Sequence, residues 1–251
     1  LYQAALEQPS EARAAWLAAA CRDDSALCGE VESLIAREDA AVRAVLITGQ
    51  PGIFTSGNDI EDFMKRAPGQ GSDAMDSPVF RFMRALLDCD KPVVAAVTGA
   101  AIGIGTTLLL HCDLVYAGDN AAFSLPFVNL GLCPEAASSL LVPQMMGYHR
   151  AAEALLLGEP FMAEAALEVG LVNRIVPPTE ASNLAQAQAR KLAAKPISSL
   201  VETKRLMKKG QAQLIQKQMA EEGESFARML GEPAAREALA LFGHLFLNQL
   251  R

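Results

Sequence analysis

The chain has 251 residues, 51% of them hydrophobic, and a formal net charge of -7. Such a chain can bury one full core and has room for little more than a short appendage. The acidic balance opposes nonspecific nucleic-acid binding, no apolar run reaches the roughly 18 residues that a bilayer-spanning helix needs, and Leu1 to Ser10 carry no leader pattern. Neither a nucleic-acid nor a membrane partner is expected, and the expected location is cytoplasmic.

Residues 1–40 are rich in Ala, Glu and Arg, with Trp16, Leu17, Val31, Leu34 and Ile35 at helical spacing, so they read as two or three helices. From Val42 the signals alternate. Strands are expected at 42–48, 93–97, 114–117 and 171–176, with helices after 58, after 104, after 135 and over 149–157. Strands made of continuous apolar runs are buried on both faces, so the fold class is α/β with parallel strands. Ala163 to Val169 adds a helix that Gly170 ends.

Past Pro177-Pro178 only helices are expected, over 181–194, 198–209, 211–229 and 233–250. Their apolar residues, among them Phe226, Met229, Leu230, Leu241, Phe242, Leu245 and Phe246, need cover from the core or from a second subunit. Three regions follow: a helical segment 1–41, a core 42–178 and a helical region 179–251. Lys204-Arg205 with Lys208-Lys209 reads as a solvated helix face.

Five cysteines, Cys21, Cys28, Cys89, Cys112 and Cys133, are odd in number and form no CxxC pair, which favours reduced thiols over a disulfide scaffold or structural zinc. His111, His149 and His244 lack metal-ligand spacing and read as packing or surface residues. No metal is expected.

Three segments carry the candidate chemistry. Val45 to Gly49 is followed by Phe54-Thr55-Ser56-Gly57-Asn58-Asp59-Ile60, and Lys91 to Val97 by Thr98-Gly99-Ala100-Ala101-Ile102-Gly103-Ile104-Gly105. In each, an apolar strand meets a glycine turn and then a helical pattern, a setting in which unpaired backbone N–H groups can face a ligand oxygen. Gly57, Gly103 and Gly105 suit tight turns and close backbone approach. In the third, Leu130-Gly131-Leu132-Cys133-Pro134-Glu135, one carboxylate follows a proline in an apolar stretch. An apolar surround that includes Phe127, Leu130 and Leu132 would raise its pKa from the ordinary value near 4.3 and make it a better base. The plainer alternative is a solvent-facing residue in the first turn of a helix. Asp59 reads as the cap of a helix from Ile60 to Lys65, and Asp113 as an acceptor for buried backbone donors.

These segments, with Asn129 to Glu135, Leu156 to Phe161 and Ala163 to Pro177, resemble the crotonase, or enoyl-CoA hydratase/isomerase, superfamily from about Val42 onward. The resemblance implies a spiral of ββα turns with C-terminal trimerisation helices. It also implies an acyl-CoA substrate, no cofactor beyond the coenzyme A of that substrate, and a homotrimer or dimer of trimers. The backbone N–H groups of Asn58 and Ile104 match the family's oxyanion donors. Ser56, Gly57, Asp59, Ile60, Gly105, Phe127 and Leu130 fall at substrate- or CoA-binding positions. The two glutamates of the hydratases are matched by Thr107 and Phe127, whereas Glu135 matches the single catalytic glutamate of the 3-enoyl to 2-enoyl isomerases.

The resemblance therefore implies an enoyl-CoA isomerase with Glu135 as its base. Alternatives are an epoxide-type acyl-CoA isomerase, a hydratase with recruited acids, or a non-catalytic acyl-CoA-binding scaffold. A dinucleotide oxidoreductase fits poorly, because Leu108 stands where the third glycine of its fingerprint belongs. The family's opening β-hairpin is not found before Val42, which implies an exposed sheet edge and a reduced CoA cleft. The glycine- and serine-bearing stretch from Pro68 to Asp76 is expected to move without ligand.

Overall fold

The computed structural model describes the backbone of residues 41–50, 52–58 and 78–249, with side chains as far as 241. The expected N-terminal helices, Asp59, Ile60 and the stretch from Pro68 to Asp76 lie outside the described residues.

Among the described residues, eight strands form two sheets. Sheet A holds β1 (Val45–Thr48), β3 (Val93–Val97), β5 (Leu114–Gly118) and β8 (Arg174–Val176) in that order, all parallel. Sheet B holds β2 (Ile53–Thr55), β4 (Ala100–Ile102), β6 (Ala122–Ser124) and β7 (Phe161–Met162), with only β7 antiparallel. Three times the chain runs a strand of sheet A, turns, and adds a strand to sheet B beside the previous one. That repeat is the ββα spiral.

Sheet A follows from its sequence. Alternate side chains of a strand point to opposite faces. Val93, Ala95 and Val97 enter the main core with Phe54, Leu109 and Phe123, while Val94 and Ala96 pack with Tyr116 and Ala185. Ala185 belongs to α6 (Pro178–Ala193), so the first helix after Pro177 covers the outer face of sheet A and joins the core. The residue pattern alone places no strand of sheet B, which only the family resemblance implies: β2, β4 and β6 have three residues each, too few to show a period, and only their central residues, Phe54, Ala101 and Phe123, are buried.

The remaining α-helices among the described residues are α1 (Pro78–Leu87), α2 (Ile104–Thr107) continued by a 3₁₀ turn Leu108–His111, α3 (Ser138–Met146), α4 (Tyr148–Ala152) continued by a π-helical turn Glu153–Leu157, α5 (Ala163–Glu168), α7 (Ile197–Lys209), α8 (Ala212–Leu230) and α9 (Pro233–Gln249). Phe226 of α8 and Ala235 of α9 pack in a second core with Leu125, Phe127, Leu132 and Val142. The C-terminal helices thus roof the segment that carries Glu135. None of the described helices is long and apolar enough to cross a membrane.

The lysine-rich face of α7 departs from expectation. Arg205 and Lys209 are exposed, but Lys204 is 6% exposed and its Nζ donates to the Lys91 carbonyl at 2.7 Å and to Asp113 Oδ2 at 2.6 Å. Asp113 Oδ2 also accepts from Val93 N at 2.7 Å, the backbone role expected of it. The physical reason is the pair of fixed acceptors: a buried ammonium is tolerated where a carbonyl and a carboxylate replace its water.

Candidate active site

Two loops meet at the sheet B end of the spiral. Gly57 has φ +93, and a Cβ there would come within 3.0 Å of the Ile102 carbonyl oxygen. A Cβ on Gly105 would stand 2.4 Å from Thr55 Cγ2, and Thr55 Oγ1 accepts from Gly57 N at 3.2 Å. Glycine at both positions lets the Thr55-to-Asn58 loop lie directly against the Ile102-to-Gly105 loop. Asn58 and Ile104, expected as a pair, therefore stand on adjoining loops. Ile104 is the first residue of α2, where N–H groups have no carbonyl within the helix to bond. Ser56 is exposed, Gly105 is buried and Leu130 is half-buried.

The loop after Gly103 is fixed from below. Thr106 Oγ1 donates to the Ala101 carbonyl at 2.6 Å and accepts from Ser124 N at 3.2 Å, tying the start of α2 to β4 and β6. Thr107 is fully buried and its hydroxyl lies 3.4 Å from the Ile104 carbonyl. Phe127 is packed in the second core, and its carbonyl accepts from Leu132 N at 2.9 Å, which folds the apolar turn Phe127 to Leu132 onto itself.

Glu135 lies in the turn that follows, ahead of α3, and is 4% exposed. The solvent-facing alternative is thereby overturned: the helix starts three residues later, and the apolar packing of its neighbours closes over the carboxyl. Ile104, Leu108, Ala136 and Ala137 share one buried cluster, so the start of α2 and the turn after Glu135 line the same core. Its Oε1 is buried without a hydrogen-bond partner among the described residues. Burial, with the Glu222 carboxylate adding to it, pushes the pKa of Glu135 up to about 7. A carboxyl held this way is a base poised near neutral pH in a dry setting.

Sequence reasoning missed what holds that turn. Ala136 and Ala137 have φ 61 and 58, a conformation L-residues rarely adopt. His111 Nε2 donates to the Ala136 carbonyl at 2.8 Å, and burial lowers the pKa of His111 to about 4, so the ring is neutral. Glu222 of α8 accepts from Ala137 N at 2.6 Å and from Ser139 N at 3.0 Å. No local signal marks Glu222, because its partners lie far away in sequence. Cys89, Cys112 and Cys133 are free thiols, and burial pushes Cys112 up to about 12. Two surface concavities, one beside Arg150 and Glu168 and the other beside Gln144 and Asn173, are lined by none of Asn58, Ile104 and Glu135.

Residues 30–243 match the family model described as enoyl-CoA hydratase/isomerase. The chain is 35% identical over 190 residues to enoyl-CoA delta isomerase 2 of Rattus norvegicus, covering 74% of this chain and 49% of the rat protein, so it spans about half the length of that relative. It is 30% identical over 217 residues to a short-chain-enoyl-CoA hydratase of Clostridium acetobutylicum, covering 85% of this chain and 80% of that one. The structure of Pseudomonas aeruginosa OdaA superposes with a TM-score of 0.80 at 45% identity, covering 96% of this chain and 92% of that one.

Proposed function

The chain belongs to the enoyl-CoA hydratase/isomerase family, and from that premise we propose that it shifts the double bond of a 3-enoyl-CoA to the 2-position, with Glu135 as the sole proton shuttle. The observation that carries this reading is Glu135 itself, a buried carboxyl whose Oε1 has no hydrogen-bond partner among the described residues and whose pKa is raised to about 7. The carboxylate takes a proton from C2, and the C2–H electron pair moves toward the thioester carbonyl to give a dienolate. The N–H groups of Asn58 and Ile104 hold the resulting oxyanion; one such donor is worth roughly 3 kcal/mol. The same carboxyl then returns the proton at C4, leaving the bond conjugated at C2–C3. Hydration asks for a second acid, and the positions that match the hydratase glutamates hold Thr107 and Phe127. The coenzyme A is part of the substrate and no other cofactor takes part.

The test is ultraviolet absorbance of the conjugated thioester. Given a 3-enoyl-CoA, the protein is expected to raise that absorbance. Given a 2-enoyl-CoA, it is expected not to bleach it. Because Glu135 must be ionised to act, kcat/KM should rise with pH through about 7 and level off above. Bleaching of the 2-enoyl thioester without isomerisation would replace this reading with the hydratase one.

Gly105→Ala is expected to push Thr55 away and part the two loops, lowering kcat/KM by about tenfold or more. Thr55→Ser removes the methyl in the way and keeps the hydroxyl that Gly57 N uses, so the double variant should regain most of the loss. No recovery would mean that loop contact is not what sets the rate. We also propose a homotrimer or dimer of trimers, supported by exposed apolar residues such as Tyr148, Leu156 and Leu157; sedimentation as a monomer would refute it.

A further inference from the structure

Glu222 is 5% exposed and sits on α8, remote in sequence from the site. Its carboxylate meets three donors at the start of α3: Ala137 N, Ser139 N and the Ser139 hydroxyl, which Gln218 Nε2 in turn reaches at 2.9 Å. α3 has no side-chain cap of its own, since its cap position is Ala137. Glu222 supplies the cap from another helix. The capped turn is the one with two successive left-handed alanines directly after Glu135, a conformation that persists only where the surroundings hold it. His111 on the Ala136 carbonyl and Ser138 Oγ on the Glu135 carbonyl at 2.6 Å complete the clamp.

We propose that Glu222 is a positioning residue for the reaction: from α8 it clamps the strained Ala136-Ala137 turn and so keeps the Glu135 carboxyl buried with one oxygen free for substrate. This rests on Glu135 being the base. Glu222 has a second effect, because its charge adds to burial in raising the pKa of Glu135. Burial pushes Glu222 up too, while the donors of Ser139 and Ala137 pull against that shift. Among the described residues, the other titratable groups around the pair are Cys133 on the Glu135 segment, neutral His111 behind the turn with Lys208 beyond it, and Glu221 and Arg228 on α8.

The test compares Glu222→Gln and Glu222→Asp with the native chain. Gln removes the charge and cannot accept from both N–H groups; Asp keeps the charge but is one methylene too short for all three donors. Both are expected to lower kcat by about tenfold or more with KM changed less than about twofold. The acid limb of the rate profile should move down by about half a pH unit in Gln and stay in place in Asp. A second readout needs no substrate: the stabilisation that Glu135→Gln gives at pH 7 should shrink in the Glu222→Gln background. Unchanged kcat and limb in both variants, or additive stabilities, would overturn the proposal. If the native chain fails to isomerise yet the two sites couple in stability, the isomerase reading falls and the clamp stands.

Discussion

Replacing Lys204 with Met is expected to cost about 3 kcal/mol of unfolding free energy, measured by denaturant titration at pH 7. Nζ of Lys204 bridges the Lys91 carbonyl, two residues ahead of β3, and Asp113 Oδ2, one residue ahead of β5. Methionine fills the volume of the stem but removes one donor from the Lys91 carbonyl and leaves the Asp113 carboxylate, 21% exposed, without its hydrogen-bonded cation. The carboxylate left without that direct partner, only partly offset by the nearby Lys208 charge, dominates the cost. Lys204→Met combined with Asp113→Asn should therefore recover part of the loss, since Asn keeps an acceptor for Val93 N and carries no charge. Arg205→Met next door should leave the denaturation midpoint essentially where it is, because the Arg205–Glu202 pair is exposed on both sides and screened by water. Equal effects at 204 and 205 would return Lys204 to the solvated face that sequence alone suggests.

Glu135→Gln is expected to make the protein more stable at neutral pH. The carboxyl keeps its proton to about 7 in the folded chain, against 4.5 as its ordinary value. Between those limits this carboxyl binds more protons in the folded state than in the unfolded one, so its own contribution to stability falls as pH rises, by about 1.4 kcal/mol per pH unit. The total is about 3 kcal/mol lost by pH 8. Glutamine has no proton to lose. Native and variant should match near pH 4.5 and diverge through 7, with the variant the more stable. A difference between native and variant stability that stays flat from pH 5 to 8 would show that Glu135 ionises freely and is no buried base, whereas the native profile alone also carries the opposite contribution of His111.

Much of the fold was legible because its dominant signal is local. Val93 to Val97 and Leu114 to Ala117 are continuous apolar runs, and only a strand buried on both faces needs them. Gly170, with φ +84, ends its helix as foreseen. Sheet B was hidden because three-residue strands carry no period, and it emerged only through family likeness. At the site, Glu135 stood out by its apolar company, and the glycines of the two loops by their spacing. What stayed illegible is tertiary. Glu222 reads as one more acid on an amphipathic helix, Lys204 as one more surface lysine, and Ala136-Ala137 as helix formers. Each takes its role from a partner that chain order does not reveal, and in the two alanines the local preference is overridden outright.

The central claim is that one buried carboxyl carries the proton. It is tested most directly by following 3-enoyl-CoA conversion to the conjugated thioester for the native chain and for Glu135→Gln, with acyl-CoA binding measured on the same preparations. The variant is expected to bind within about threefold of the native chain yet to turn over at least about 100-fold more slowly, the share a lone general base commands. Equal turnover in the two would contradict it.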